Sequence, residues 1–139
     1  RRINDGMGAY VADRALRLMV RKKINPVGAR ALVLGLAFKE NCPDLRNTKV
    51  VDIVAELQEH SMVVDIHDPW VDAAEARHEY GVELTATPKA GDYDLVILAV
   101  AHHQFTDLGA DGVRAFGKDP SVLYDVKSAL PREAVDGRL

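Results

Sequence analysis

Two short stretches, Ala31-Leu32-Val33-Leu34-Gly35-Leu36-Ala37-Phe38 and Asp94-Leu95-Val96-Ile97-Leu98-Ala99-Val100, run apolar almost without a break. A strand with one face in water alternates apolar and polar side chains, so runs of this kind belong to strands covered on both faces, as in a parallel sheet. Three further segments read as strands: Val63–His67, the brief Val82–Leu84, and Val122–Val126. Between them the period changes to helical. Residues 48–60 carry Val50, Val51, Ile53, Val54 and Leu57 on one stripe, with Asn47 or Thr48 as cap. Residues 72–80 form a short helix closed by Gly81, and 109–117 a third. Strand and helix alternate from about residue 30 to 126, which requires right-handed crossovers and a Rossmann-like α/β fold, a parallel sheet with helices on both faces.

A long helix over residues 4–24 precedes this unit. Asn4 or Asp5 caps it, Met7, Val11, Ala15, Leu18 and Met19 share a face, and Arg21-Lys22-Lys23 sit at its negative end before Pro26 and Gly28. Gly6 and Gly8 weaken its first turns unless something packs closely there. With no strand partner of its own, this helix is expected to expose its stripe unless another domain or subunit covers it.

At 139 residues the chain is one domain by length, with 47% hydrophobic residues to build a core. A net charge of −3, with no basic run denser than Arg21 to Lys23, excludes nucleic-acid binding as a main role. No apolar run approaches the ~20 residues of a membrane span. Nothing apolar follows Arg1-Arg2-Ile3-Asn4-Asp5 as a signal peptide requires. The single Cys42 cannot form an internal disulfide, and the cytoplasm is the expected compartment.

Ligands of open α/β sheets bind beyond the carboxyl ends of the strands, where strand order reverses. The loop after the first strand, Phe38-Lys39-Glu40-Asn41-Cys42-Pro43-Asp44-Leu45-Arg46, brings two cations close to a helix N-terminus, a combination suited to phosphate. Equally, Lys39 and Arg46 could pair with Glu40 and Asp44 on a solvated loop. Gly35 stands alone, without the Gly-x-Gly-x-x-Gly run of a dinucleotide site, so this sheet is not read as an NAD domain.

The segment Gly35-Leu36-Ala37-Phe38-Lys39 through Asp44-Leu45-Arg46-Asn47-Thr48-Lys49-Val50 resembles the UDP-glucose/GDP-mannose dehydrogenase family. The likeness continues through Asp65-Ile66-His67-Asp68-Pro69 and Tyr124-Asp125-Val126-Lys127, and with the opening residues 1–8 it spans essentially the whole chain. The wording Glu40-Asn41-Cys42-Pro43-Asp44-Leu45-Arg46-Asn47-Thr48 looks most like the branch that oxidises UDP-N-acetylglucosamine or UDP-N-acetylgalactosamine for capsule, Vi-type or O-antigen polysaccharides.

The resemblance implies an oxidoreductase that takes C6 of a nucleotide sugar from alcohol to carboxylate with two NAD+. Its N-terminal domain would hold NAD and a nucleophilic cysteine, and a central helix would join the halves and form a homodimer. Residues 1–27 would then be the later part of that helix and 28–139 the UDP-sugar-binding domain. Phe38 and Lys39 match substrate-contacting positions, Arg46 matches an arginine reaching NAD across the cleft, and Lys127 stands where many members carry an arginine. Lysine there loses the bidentate contact. No residue of this chain is expected to be catalytic. Cys42, in Asn-Cys-Pro, lacks the Gly-Gly-x-Cys context of the family's nucleophile and reads as a loop residue.

His102 and His103 lack a ligand-spaced partner for a metal, leaving substrate contact or loop hydrogen bonding. His67 reads as structural, His78 with Glu75 and Glu79 as a solvated face, Trp70 as a uracil platform or packing for its turn, and Asp125 as a partner for Lys127. The competing reading of the whole is a stand-alone nucleotide-binding or interaction module without catalytic activity.

Overall fold

The computed structural model describes residues 6–139. Helix α1 spans Met7–Arg21, followed by β1 (Arg30–Leu34), α2 (Val50–Glu59), β2 (Val63–His67), α3 (Ala73–Tyr80) and β3 (Tyr93–Leu98). Two short helices, α4 (His103–Thr106) and α5 (Gly109–Arg114), lead to β4 (Gly117–Asp125), and a 3-10 turn at Arg132–Ala134 leads to β5 (Gly137–Arg138). The strands lie in the order β2-β1-β3-β4-β5, every neighbouring pair parallel. The expected Rossmann-like α/β architecture is therefore the one observed.

Side chains of the central strands alternate between two cores. Ala31, Val33, Leu95, Ile97, Val122 and Tyr124 face a layer that contains α1, α2 and Ala76 of α3. Leu32, Leu34, Val96, Leu98 and Leu123 face the opposite layer, with Phe105 of α4 and Val113 of α5. Burial on both faces is the reason these strands read as continuous apolar runs.

The expectation that α1 exposes its stripe is corrected. Val11, Ala12, Ala15 and Met19 are buried in the first core, against α2 and the sheet. Gly8 makes this possible, since a Cβ there would lie 2.7 Å from the Asp52 carbonyl carbon of α2. The proposed caps Asn4 and Asp5 lie outside the described residues.

Further differences concern element bounds. The first strand ends at Leu34 rather than Phe38 because Gly35, at φ +101°, turns the chain, and the Leu36 and Ala37 amides donate to a carboxylate instead of a neighbouring strand. Residues 82–84 form no strand: Leu84 makes a single bridge to Ile66. The helix expected over 109–117 stops at Arg114, a separate short helix, α4, precedes it, and residues 117–121 join β4, whose first half (Gly117, Lys118, Asp119, Pro120) has no apolar pattern to announce it. The two-residue β5, held on Tyr124 and Asp125, is likewise silent in the sequence.

Candidate functional site

Order reverses between β1 and β3, and the crevice beyond their carboxyl ends is where ligands bind in sheets of this kind. An open cleft of about 200 Å³ lies there, walled by Ala37 and Phe38 after β1, Thr48, Lys49 and Val50 at the start of α2, Val100 after β3, and Lys127 after β4. Gly35 turns the chain out of β1 just before this wall. Besides its positive φ, a Cβ on this residue would meet the Val100 Cβ at 2.5 Å, so only glycine lets the β1 and β3 loops approach.

Thr48 ties the first loop to α2. Its hydroxyl donates to the Leu36 carbonyl at 2.7 Å and accepts from the Val50 amide at 3.2 Å, but the N-cap of α2 is Lys49, without a side-chain cap bond, and not the expected Asn47 or Thr48. Lys49 and Lys127 are exposed cations on the cleft walls, and Phe38, 52% exposed, offers an apolar surface beside them. An anion with a flat apolar appendage suits this lining: charge attraction holds the anion and the ring covers the rest.

The four residues singled out from the sequence separate here. Phe38 and Lys127 reach the cleft. Lys39 stands one residue further along the same loop, exposed, without an ion pair among the described residues and not part of the cleft wall. Arg46 also lies outside it, 84% exposed, in a two-pronged contact with Asp44 whose nitrogens lie 3.0 Å from the carboxylate oxygens. Hydrogen bonds from Arg46 hold the Asp44 carboxyl down at about 2. For Arg46 the solvated ion pair is what the structure shows.

Asp125 does not pair with the Lys127 ammonium. Its buried carboxylate accepts the backbone amides of Lys127 at 3.0 Å and Leu130 at 2.8 Å, and so fixes the turn that carries Lys127. Trp70 packs beside His102 and His103 and donates from Nε1 to Gln104 at 2.9 Å, which makes it packing for its turn. His67, at the end of β2, lies 2.8 Å through Nδ1 from the Thr85 carbonyl, a structural contact, and His78 is exposed. Among the described residues no group of His, Cys, Asp and Glu could hold a metal, and no helix is long and apolar enough to cross a membrane.

Sequence reasoning missed two parts of this region. Lys49 was visible only as one letter of a motif. The other is a buried network in which the Asp68 carboxylate accepts Leu36 N–H at 2.6 Å, Ala37 N–H at 2.9 Å, Trp70 N–H at 2.8 Å and His102 Nε2–H at 2.9 Å. Burial works to raise the Asp68 carboxyl, but these donors outweigh it and hold the group below the ordinary carboxylate range. Trp70 is a local partner, but Leu36, Ala37 and His102 lie more than thirty residues away, beyond the reach of any local pattern.

Such a sheet, with its cations gathered at the strand reversal and no glycine-rich loop behind β1, defines a Rossmann-type ligand-binding domain of the α/β class. Its fold matches that of an NDP-N-acetyl-D-galactosaminuronic acid dehydrogenase from Methanosarcina mazei (TM-score 0.80, 22% identity, 94% of this chain and 27% of that one). It also matches a UDP-D-ManNAc dehydrogenase from Pyrococcus horikoshii (TM-score 0.76, 19% identity, 96% and 30%). The model of the UDP-glucose/GDP-mannose dehydrogenase family, UDP binding domain, matches residues 32–132, and the chain belongs to this family. Its sequence is 55% identical over all 139 residues to a UDP-N-acetyl-D-glucosamine 6-dehydrogenase of Pseudomonas aeruginosa and 51% identical to one of Salmonella typhi. The chain spans 33% of the length of each.

Proposed function

We propose that this chain is the UDP-sugar-binding C-terminal part of an NAD-dependent nucleotide-sugar 6-dehydrogenase. The substrate is a UDP-N-acetylhexosamine, whose C6 alcohol becomes a carboxylate in two hydride transfers, and the product feeds capsule or O-antigen polysaccharide synthesis in the cytoplasm. Residues 1–27 are read as the end of the helix that joins the two halves and pairs two copies of the enzyme. The observation that carries the reading is the cleft itself: Phe38, Lys49 and Lys127 surround the strand reversal in a chain whose family is defined by UDP binding.

The residues present do not build a site for NAD. The glycine loop is missing, and Arg46, which the resemblance directs toward NAD, is engaged with Asp44. What the chain supplies is anchoring. Lys127 and Lys49 attract the diphosphate, Lys39 adds positive charge at the mouth, and Phe38 covers the uridine side. Binding of this kind holds a substrate in place without itself lowering the barrier to oxidation.

Calorimetric titration of the chain with UDP tests the reading. Binding should weaken about tenfold in Lys127→Gln, equivalent to about 1.4 kcal/mol, and should fall with rising salt. Charge reversal at Lys39 should weaken UDP in the same direction. No heat of binding with millimolar UDP would sink the assignment. The chain alone should not reduce NAD+ with any UDP-sugar, and turnover would overturn the proposed division of labour.

A further inference from the structure

His102 and Asp68 have no part in the binding just proposed, yet both lie under the loop that binding uses. Their side chains are fully buried, at 0% exposure each, and the His102 Nε2 is 2.9 Å from the Asp68 Oδ2. The other imidazole nitrogen, Nδ1, receives the Asn41 backbone N–H at 2.9 Å. A backbone amide can only donate, so Nδ1 carries no proton, and Nε2 must carry the ring proton and give it to Asp68. The tautomer is thus set by its two partners. The Asn41 side chain completes the arrangement, its Oδ1 accepting the His103 amide at 2.8 Å.

Two of the loop's fastenings depend on the His102–Asp68 pair, beside the Thr48 bond to Leu36 and the Phe38 amide's bond to the Asp44 carbonyl at 2.7 Å. Leu36 and Ala37 hang by their amides on Asp68, and Asn41 hangs on His102 and His103. Asn41 sits at φ +55°, a conformation that costs energy in a residue other than glycine and persists where its surroundings hold it. Phe38, Lys39 and Glu40 lie between these fastenings, all three exposed, and of them only Phe38 has a backbone bond of its own, to Asp44.

We propose that His102, backed by Asp68, is a positioning residue for the nucleotide. By holding the Asn41 amide it acts with the Phe38–Asp44 backbone bond to keep Phe38 to Glu40 in the conformation that turns Phe38 to the cleft. The inference rests on the cleft being the UDP site. His102 itself touches no ligand, being sealed beneath the loop.

The two nitrogens can be separated by substitution. His102→Gln places an amide donor near the Nε2 position and loses the acceptor for Asn41, whereas His102→Asn keeps an acceptor near Nδ1 and loses the reach to Asp68. Amide hydrogen exchange and UDP titration followed by NMR, both on the whole chain, read the outcome. In the Gln variant the Asn41 amide should exchange at least about tenfold faster while Leu36 and Ala37 stay protected, and UDP should bind about tenfold more weakly. The Asn variant should recover Asn41 protection and most of the affinity. Unchanged Asn41 protection in the Gln variant, or a loosened loop with undiminished UDP affinity, overturns the positioning role alone. A wild-type chain that does not bind UDP brings down the UDP reading and this role together. Should the Gln variant not fold, Asn41→Gly removes the side-chain bond to His103 and relaxes the backbone at φ +55° while leaving the amide that His102 holds. That amide should stay protected and UDP affinity should stay within about threefold; UDP binding lost despite a protected amide overturns the proposal.

Discussion

At the scale of single residues, the largest burden falls on Asp68. A buried carboxylate is tolerated only when its lone pairs are filled, and here four backbone amides and one imidazole fill them. Asp68→Asn replaces acceptors by an amide donor facing other donors, and should cost about 3 kcal/mol in urea unfolding. Asp136 is also held low: burial raises it, but hydrogen bonds from Lys22 and the Leu123 amide, with Arg114 nearby, outweigh that effect. For both carboxyls the folded value lies below the unfolded one, ordinarily about 3.9. Their stabilisation is therefore complete above that value and is lost as the pH falls through it toward the folded values. Unfolding free energy measured against pH should drop below pH ~4, and less steeply in Asp68→Asn. Tyr124 shows the opposite situation. Its hydroxyl is buried with no partner among the described residues, and burial pushes it above its ordinary value. Tyr124→Phe should accordingly leave stability unchanged or raise it by up to ~1 kcal/mol in the same assay. Neither residue announced its role: Asp68 read only as part of an Asp-Pro turn, and nothing local marks a tyrosine in an apolar strand as lacking a partner.

At the scale of elements, the sequence was most legible where burial is continuous. β1, β3 and the stripe of α2 were visible because the physical pattern that encodes them lies within each segment. β5 and the first half of β4 were not, because they are extended only by pairing with distant strands. In the candidate site, Phe38 and Lys127 were singled out through the resemblance, in loops after recognisable strands, and the pairing of Arg46 with Asp44 was one of the two alternatives open for that loop. The contact between α1 and α2 is narrow at Gly8, and Gly8→Ala should force the helices apart. The expected loss is about 1–3 kcal/mol by thermal or chemical unfolding, although alanine is the better helix former. Helix α3 buries only Ala76, and its amides should exchange faster than those of α2, which buries Val50, Ile53, Val54 and Leu57.

At the scale of the whole molecule, the last residues fasten remote elements together. The Asp136 carboxylate meets Lys22 beyond α1 at 2.9 Å, Arg114 of α5 at 3.1 Å and the Leu123 amide of β4 at 2.8 Å. Asp136→Asn should weaken this attachment, visible as faster exchange of the β4 and β5 amides. β5 covers a particular stretch of β4. The early part of that strand bears Lys118, Asp119 and Pro120, residues that discourage another chain from adding a strand, while the later part, Val122 to Tyr124, is wholly apolar. The two-residue β5 sits beside this later part, on Tyr124 and Asp125. Losing the tail would thus bare the sticky half of an otherwise guarded edge, and a shortened chain would be prone to polymerise through β4.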